Sequence, residues 1–327
     1  MALIESDIVK GALIRLNRLH DTLYYLNLVA IEKEDLVRWR GPGYRRAIQF
    51  GEEGHALVRE KIAGDAPLMI SRLGAVELTC LRRYLEKRRK GGRPYPAKIR
   101  TTMSNQAGFF PTDDRSLDAF AELYLEKLAD VDVMGVWFNQ FENVLCNDYC
   151  PQAELVDLDC LESFRFADPW TAKLAGRKVL VVHPFVDTIR RQYTEKRRLL
   201  FANPQVLPDF ELKTLQAVQS IGGAEVGFAS WFDALQQMRD RIAGIDFDVC
   251  LIGAGAYGLP LASFVKKLGK QAVHLGGVTQ VFFGIKGKRW EREYFDSTMK
   301  LFNEHWVRPS AAETPANKDT IERGCYW

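Results

Sequence analysis

Three turns bearing Gly, Arg, His and Pro hold the most chemically suggestive residues of this chain. In DVCLIGAGAYGLPLASFVKKLG (248–269), Gly253-x-Gly255-x-x-Gly258 follows an apolar run and precedes a helical pattern. Glycines at such a junction let a ligand come close to the backbone. The amides that open a helix present unpaired hydrogens and a partial positive charge, so a diphosphate is a natural guest. Plain strand-to-helix packing uses the same glycines, and both readings stand for Gly253, Gly255 and Gly258. Arg72-Leu73-Gly74 closes a second apolar run, APLMIS, and His183-Pro184-Phe185 a third, KVLVV. Tyr257, inside the glycine turn, offers a ring to a base, to a diphosphate or to packing.

Groups able to move protons or hold anions stand around these turns. Glu77 falls in the first turn of a helix, where a carboxylate acts as general base, as metal ligand or simply as a partner for the helix dipole. Arg72 is a phosphate clamp or half of an interior ion pair. His183 ends its strand where an imidazole exchanges protons near neutral pH or sits satisfied in the interior, and His274 has the same two readings. Asn105 and Gly108, in SNQAGFFP (104–111), position a donor or stabilise a loop. In FGIKGKRWERE (283–293), Lys286, Lys288 and Arg289 suit charge developing on a departing phosphate, or a solvated basic turn. Glu142 and Asp148 are reserve carboxylates. Trp290, Trp306, Tyr326 and Trp327 are flat surfaces for a sugar, a base or the core.

A redox dinucleotide fits the glycine spacing poorly. Its fingerprint opens a first βαβ unit, and about 20 residues later a carboxylate meets the adenosine ribose. Here the glycines come late, and the next strand ends His274-Leu275-Gly276-Gly277 without an acid. No redox cofactor is expected, and a nucleotide-dependent α/β oxidoreductase is kept only as an alternative.

Bringing these turns to one edge requires strands alternating with helices, and the pattern supplies them. APLMISRLG, VDVMGVWF, KVLVVHPF, DFDVCLIGAG and QAVHLGG read as strands, with a further short strand at 224–228. Helical periods fill 47–63, AVELTCLRRYLEKRRK, 115–129, the stretch after HPF, DALQQMRDRIAG and LPLASFVKKLG. The expectation is an α/β fold: a doubly wound, mainly parallel, Rossmann-like sheet whose ligands bind beyond the carboxyl ends of its strands. Ile8, Leu13, Leu16, Leu19, Leu23 and Leu26 predict amphipathic helices over 4–34, and WRGPGYRR (39–46) a turn. The expected organisation is an N-terminal helical segment (1–64), an α/β catalytic domain (65–284) and a loop-rich C-terminal extension packed on it (285–327).

Composition sets the outer bounds. With 327 residues, 47% hydrophobic and 27% charged, the chain can bury a sizeable core. It shows neither a membrane-spanning run nor a secretory leader, so a cytoplasmic location is expected. The six cysteines are expected to be buried thiols; Cys146-x-x-x-Cys150 is a weak metal or redox spacing. Net charge is +3, but Arg82–Arg100 carries nine Lys or Arg against one Glu. That stretch suits a solvated helix end or an anionic membrane surface, placing the protein at the inner face of a membrane. No aromatic-rich nucleic-acid module accompanies it, and nucleic acid is not expected as a partner.

ISRLGAVEL (70–78) resembles the Arg-Phe-Gly-Asp-Gly-Glu turn of bacterial GT-D-type glycosyltransferases. SNQAGFFP is similar to an Asn-x-Gly-Phe-Phe-Pro-like segment of that family, and DVCLIGAGAYGLPLASFVKKLGKQAVHLGG to its glycine-rich strand–helix–strand unit. The resemblance spans roughly residues 65–280 and implies the GT-D type of fold. It also implies an enzyme that moves a sugar from a nucleotide-sugar donor to a glycan, polysaccharide or lipid-linked acceptor at the bacterial surface. The family's Asp-x-Glu pair, associated with a divalent metal, reads Ala75-Val76-Glu77 here. Any Mn²⁺ or Mg²⁺ would therefore rest on Glu77 alone. Loss of the Asp also suits a non-catalytic sugar-nucleotide-binding or polysaccharide-assembly protein.

Overall fold

The computed structural model describes residues 37, 40–223, 226–291, 296–320 and 324–327. The helices expected over 4–34 lie outside them. The chain forms two compact units, Met1–Gly43 and Tyr44–Trp327. The described part of the first unit includes a single 3₁₀ turn, Gly41–Gly43, formed by the Gly-Pro-Gly that predicted a break.

The second unit is built on one sheet of eight strands: β1 Ile48–Gln49, β2 Leu68–Arg72, β3 Val133–Val136, β4 Glu154–Asp157, β5 Lys178–His183, β6 Glu211–Gln216, β7 Val249–Ile252 and β8 Gln271–His274. Their order is β1-β4-β3-β2-β8-β7-β5-β6, and every pairing is parallel. An all-parallel sheet is covered on both faces, which is why its inner strands read as apolar runs without alternation. VMGV and VCLI are buried throughout, as are Met69 and Ile70 of β2. Each such aliphatic side chain contributes about 1.5–3 kcal/mol by leaving water. The principal helices are α1 Gly51–Ala63, α2 Ala75–Lys90, α3 Ala97–Asn105, α4 Asp114–Leu128, α5 Glu142–Asp148, α6 Val186–Arg191, α7 Trp231–Ala243 and α8 Gly258–Lys267.

This order sets β2, β8, β7 and β5 side by side in the sheet. Because they run the same way, the turns that follow them emerge along one edge. Those are the turns at Arg72–Gly74, His274–Gly277, Gly253–Gly258 and His183–Phe185.

The expected 224–228 strand is corrected: 226–228 are not strand, and 224–225 lie outside the described residues. The strand of this region is β6, an edge strand whose apolar residues, Leu212 and Leu215, are three apart and show no alternation. β1 and β4, of two and four residues, are also too short to leave a pattern. The compact unit starts at Tyr44 because β1 pairs with β4 and α1 buries Val58 and Ile62 in the shared core. All six cysteines are buried and none forms a disulfide. Among the described residues no helix is long and apolar enough to cross a membrane.

The segment after residue 284 joins the same core through Trp290, Trp306 and Trp327, and Ile285 bridges to Val307. Glu313 fixes it in place. Its carboxylate accepts hydrogen bonds from the amides of Asp187 (2.8 Å) and Thr188 (3.2 Å), from the Thr188 hydroxyl and from Ser310 Oγ (2.7 Å). The N-terminus of α6, beside the His183–Phe185 turn, is thus filled from within by an anion of the chain itself. Burial opposes the Glu313 charge, but these donors outweigh it and hold the carboxyl below its usual range. A depressed carboxyl stabilises the fold above its unfolded value, near 4.5, and loses that contribution as pH falls through the folded value. Glu313→Ala is expected to cost about 2 kcal/mol or more at pH 7. In urea titrations across pH 3–7 the gap from wild type should shrink below about pH 4.5.

Candidate active site

At the carboxyl edge of the sheet lies a cavity of about 180 Å³, lined from the turns after β2, β5, β7 and β8, the loop after β6 and the C-terminal segment. Arg72, Gly74, Glu77, His183, Gly253, Gly255, Tyr257 and Arg289 all face it. Residues 180 apart in sequence meet there because the sheet order makes their strands neighbours.

Arg72 ends β2. Its guanidinium lies 4.5 Å from the centroid of the Trp137 ring and against Gly276, where a methyl group would fall 2.6 Å from Nη1. Gly276 takes φ +65°, a conformation that only glycine adopts without strain. Among the described residues the guanidinium makes one hydrogen bond, a long one of 3.4 Å from Nη2 to the Leu73 carbonyl. Its Nε is buried without a partner. Burial draws the pKa of Arg72 down, Glu77 draws it back up and nearby Arg289 lowers it again. Arginine nevertheless stays charged, so the cavity wall holds a cation with unused donors.

Glu77 folds back over the start of its own helix. A methyl at Gly74 would fall 1.9 Å from Glu77 Oε2, so the carboxylate occupies the corner where the amides of α2 begin. That corner therefore presents negative charge. Anion-binding capacity falls instead to Arg72, Arg289 and the glycine backbone after β7 and β8.

The three glycines of the GxGxxG run have separate duties. A methyl at Gly253 would fall 2.5 Å from His183 Cδ2 and 2.8 Å from the Gly276 carbonyl, so close packing of two turns requires glycine there. Gly255 has φ +53°, and a methyl on it would meet nothing within 4 Å, so its backbone stands open to the cavity. Gly258 lies outside the lining and brings α8 onto β8: a methyl there would fall 2.1 Å from His274 Nε2.

Both histidines are neutral. Burial pushes His183 and His274 down to about 3. The Phe185 amide donates to His183 Nδ1 (3.0 Å), so the ring hydrogen sits on Nε2. Burial thus disfavours the charged imidazole at neutral pH. His274 is held by Ser71 Oγ at 3.0 Å.

Other expected site residues are less direct. Tyr257 stacks on Trp231 (4.8 Å, 9°), and its hydroxyl is 3.0 Å from Ser220 Oγ, which donates to the Gly108 carbonyl (2.6 Å). Gly108 thus supports the wall without lining it, and Asn105 also lies off the lining while Gln106 and Ala107 lie on it. Lys286 reaches over the Phe302 ring (5.4 Å) and Lys288 toward Asp319 (3.7 Å), so of that basic loop only Arg289 faces the cavity. Tyr326 and Trp327 line it, whereas Trp290 and Trp306 are core.

Sequence reasoning passed over Trp137 and Tyr124. Trp137 donates to the Leu73 carbonyl (2.9 Å) beneath Arg72, and Tyr124 to the Ala256 carbonyl (2.5 Å) beneath the glycine turn. Neither carries a signal apart from core aromatics. Glu142 lies buried off the cavity, pushed up to about 7 by burial, and accepts from Tyr44 Oη, the Trp137 amide and the Asn139 amide. Its role is to hold the Trp137 loop. Asp148 pairs with Arg45 (3.0 Å) at the surface. In the basic stretch, Arg82, Lys87 and Arg100 pair with Glu86, Asp118 and Asp114, while Arg89, Arg93 and Lys98 are exposed.

No protein-family model matches the chain, and no curated protein matches it in sequence. Three solved structures are similar to it. One, a selenomethionine-substituted structure of domain of unknown function 1792, is 12% identical, with 86% of this chain and 96% of that chain covered and a TM-score of 0.43. A second, described as a new glycosyltransferase of that domain type from Streptococcus sanguinis, is 10% identical over 84% and 97%, with a TM-score of 0.36. A third, whose domain is described as having a distinct glycosyltransferase fold, is 11% identical over 68% and 82%, with a TM-score of 0.33. Likeness this distant assigns no activity to the chain, and its function must be argued from the cavity.

The packing of Gly258 and Gly255 is separable by substitution. Gly258→Ala forces a methyl into a buried imidazole and should destabilise by about 3 kcal/mol. Gly255→Ala meets no atom and should cost only the backbone strain of about 1–2 kcal/mol. Urea unfolding of the two variants measures the difference; a larger loss at Gly255 would contradict the packing described for His274.

Proposed function

We propose that this chain is a glycosyltransferase that takes a sugar from a nucleotide-sugar donor bound across the strand-end cavity. The observation that carries the reading is one cavity holding the under-bonded Arg72 guanidinium, the Glu77 carboxylate and the open backbone at Gly255. Sugar transfer needs those three elements. The acceptor hydroxyl oxygen forms a bond to the anomeric carbon as the bond from that carbon to the diphosphate breaks. The electron pair leaves with the nucleoside diphosphate, and the hydroxyl proton passes to a carboxylate. Glu77 is the carboxylate for that proton, and Arg72 and Arg289 meet the charge that develops on the leaving group. Tyr326 and Trp327 supply flat surface for sugar or base.

The acceptor in this reading is a surface glycan, polysaccharide or lipid-linked saccharide, with Arg89, Arg93 and Lys98 offering charge to an anionic membrane face. A non-catalytic sugar-nucleotide binder is the second reading, favoured by Ala75 standing where the resembling family has an acid. An oxidoreductase finds no carboxylate at the end of β8 for an adenosine ribose.

Glu77→Gln keeps the shape of the side chain and removes the base. Screening UDP-, GDP-, CMP- and dTDP-sugars by thermal shift identifies the donor, and product formation with acceptor then reads the chemistry. The variant should keep donor-induced stabilisation while turnover falls by about 10²–10⁴-fold. Wild-type turnover in the variant would remove Glu77 from the mechanism, and a wild-type chain that binds donor but forms no product would favour the binder.

A further inference from the structure

Whether a divalent cation shares in neutralising the departing diphosphate is left open by the nucleotide-sugar reading, and an inference about it rests on that reading. The family that the sequence resembles implies Mn²⁺ or Mg²⁺ for that task. Hard dications take six or more oxygen ligands, and in a protein at least one or two are carboxylates. The cavity offers a different set. Ala75 contributes a methyl in place of an acid, and among the described residues Glu77 is the one carboxylate side chain that faces the space. His183 Nδ1 is taken by the Phe185 amide, and His274 is engaged with Ser71 and packed on Gly258. Among the described residues no group of three or more His, Cys, Asp or Glu is placed to hold a metal ion. Two guanidiniums, Arg72 and Arg289, line the same cavity and would repel a dication from it. A single carboxylate, at the lower limit for such a site, beside two guanidiniums does not fit the metal that the resemblance implies.

They fit an anion. Arg72 has a buried Nε without a partner and one long hydrogen bond, so most of its donor capacity is unspent. Arg289 lies over the Tyr326 ring, 4.8 Å from its centroid, and its charge is felt at Arg72. Two like charges on one cavity wall disfavour one another, and a polyanion between them relieves that repulsion while taking up the unspent donors of Arg72. We propose that Arg72 and Arg289 form a guanidinium clamp that neutralises the diphosphate without a divalent cation.

Isothermal titration of the full chain with inorganic pyrophosphate, and with UDP, GDP, CDP and dTDP, in EDTA and then in Mn²⁺, tests this. Pyrophosphate and at least one nucleoside diphosphate should bind in EDTA, and Mn²⁺ should not tighten them. Arg289→Ala and Arg72→Lys should each weaken binding by about tenfold or more. Should Arg72→Lys fail to fold, by circular dichroism, the Arg289→Ala result decides alone. Binding that appears only with Mn²⁺, or an Arg289→Ala variant with wild-type affinity in EDTA, overturns the clamp and leaves the transferase reading standing. Absence of nucleoside diphosphate binding under both conditions overturns the transferase reading and the clamp with it.

Discussion

A cation set into a protein wall with most of its hydrogen-bonding capacity unspent is the constraint around which this site is built. Arg72 has an aromatic face beneath it, a glycine against its edge and one long hydrogen bond to its neighbour's carbonyl. Desolvation of a charge is costly unless partners replace the lost water. The surroundings supply part of that replacement: Trp137 is anchored to Leu73, and Glu142 ties down the loop that carries Trp137. The remainder is left to whatever enters the cavity. In the proposed function, stability given up at this one side chain is returned as affinity for an anionic guest.

The parallel sheet makes the arrangement possible. Adjacent β2, β8, β7 and β5 deliver four turns to one edge, and glycines let those turns pack within van der Waals contact of one another. Gly253 accommodates His183 and Gly258 accommodates His274, which places two neutral imidazoles in the wall and leaves Gly255 facing the opening. Helices begin along the same edge after β2, β5 and β7, among others, yet these three starts are not equivalent. Glu313 fills the one at α6 and Glu77 covers the one at α2, while the turn after β7 keeps its backbone accessible. Charge of both signs thus meets at this edge: the Glu77 carboxylate and the Arg72 guanidinium at the end of β2, and Arg289 from the C-terminal segment.

Much of this was legible in the sequence, for physical reasons. Central parallel strands are buried on both faces, so APLMIS, KVLVV and DVCLI announce themselves as apolar runs, and the glycine, arginine and histidine that end them lie at the carboxyl edge of the sheet. What stayed hidden depends on tertiary partners. β6 is an edge strand with no alternation, so its loop, which brings Ser220 to the wall, left no trace. Glu313 looked like any carboxylate of a polar tail because its partners lie 125 and 126 positions away. Trp137 is indistinguishable by type from the buried Trp231. The basic run FGIKGKRW read as one feature, but its backbone turns so that Arg289 faces inward while Lys286 and Lys288 do not. For His183 the sequence left proton exchange and a satisfied interior imidazole both open, because the burial that lowers its pKa is not written in a single residue.

A crystal structure of the chain soaked with a nucleoside diphosphate addresses the central claim most directly. The account predicts the phosphates within hydrogen-bonding distance of the Arg72 guanidinium and close to the backbone at Gly255, with Arg289 on their other side. A diphosphate bound elsewhere, or one held by a metal ion on Glu77 with Arg72 untouched, would contradict it.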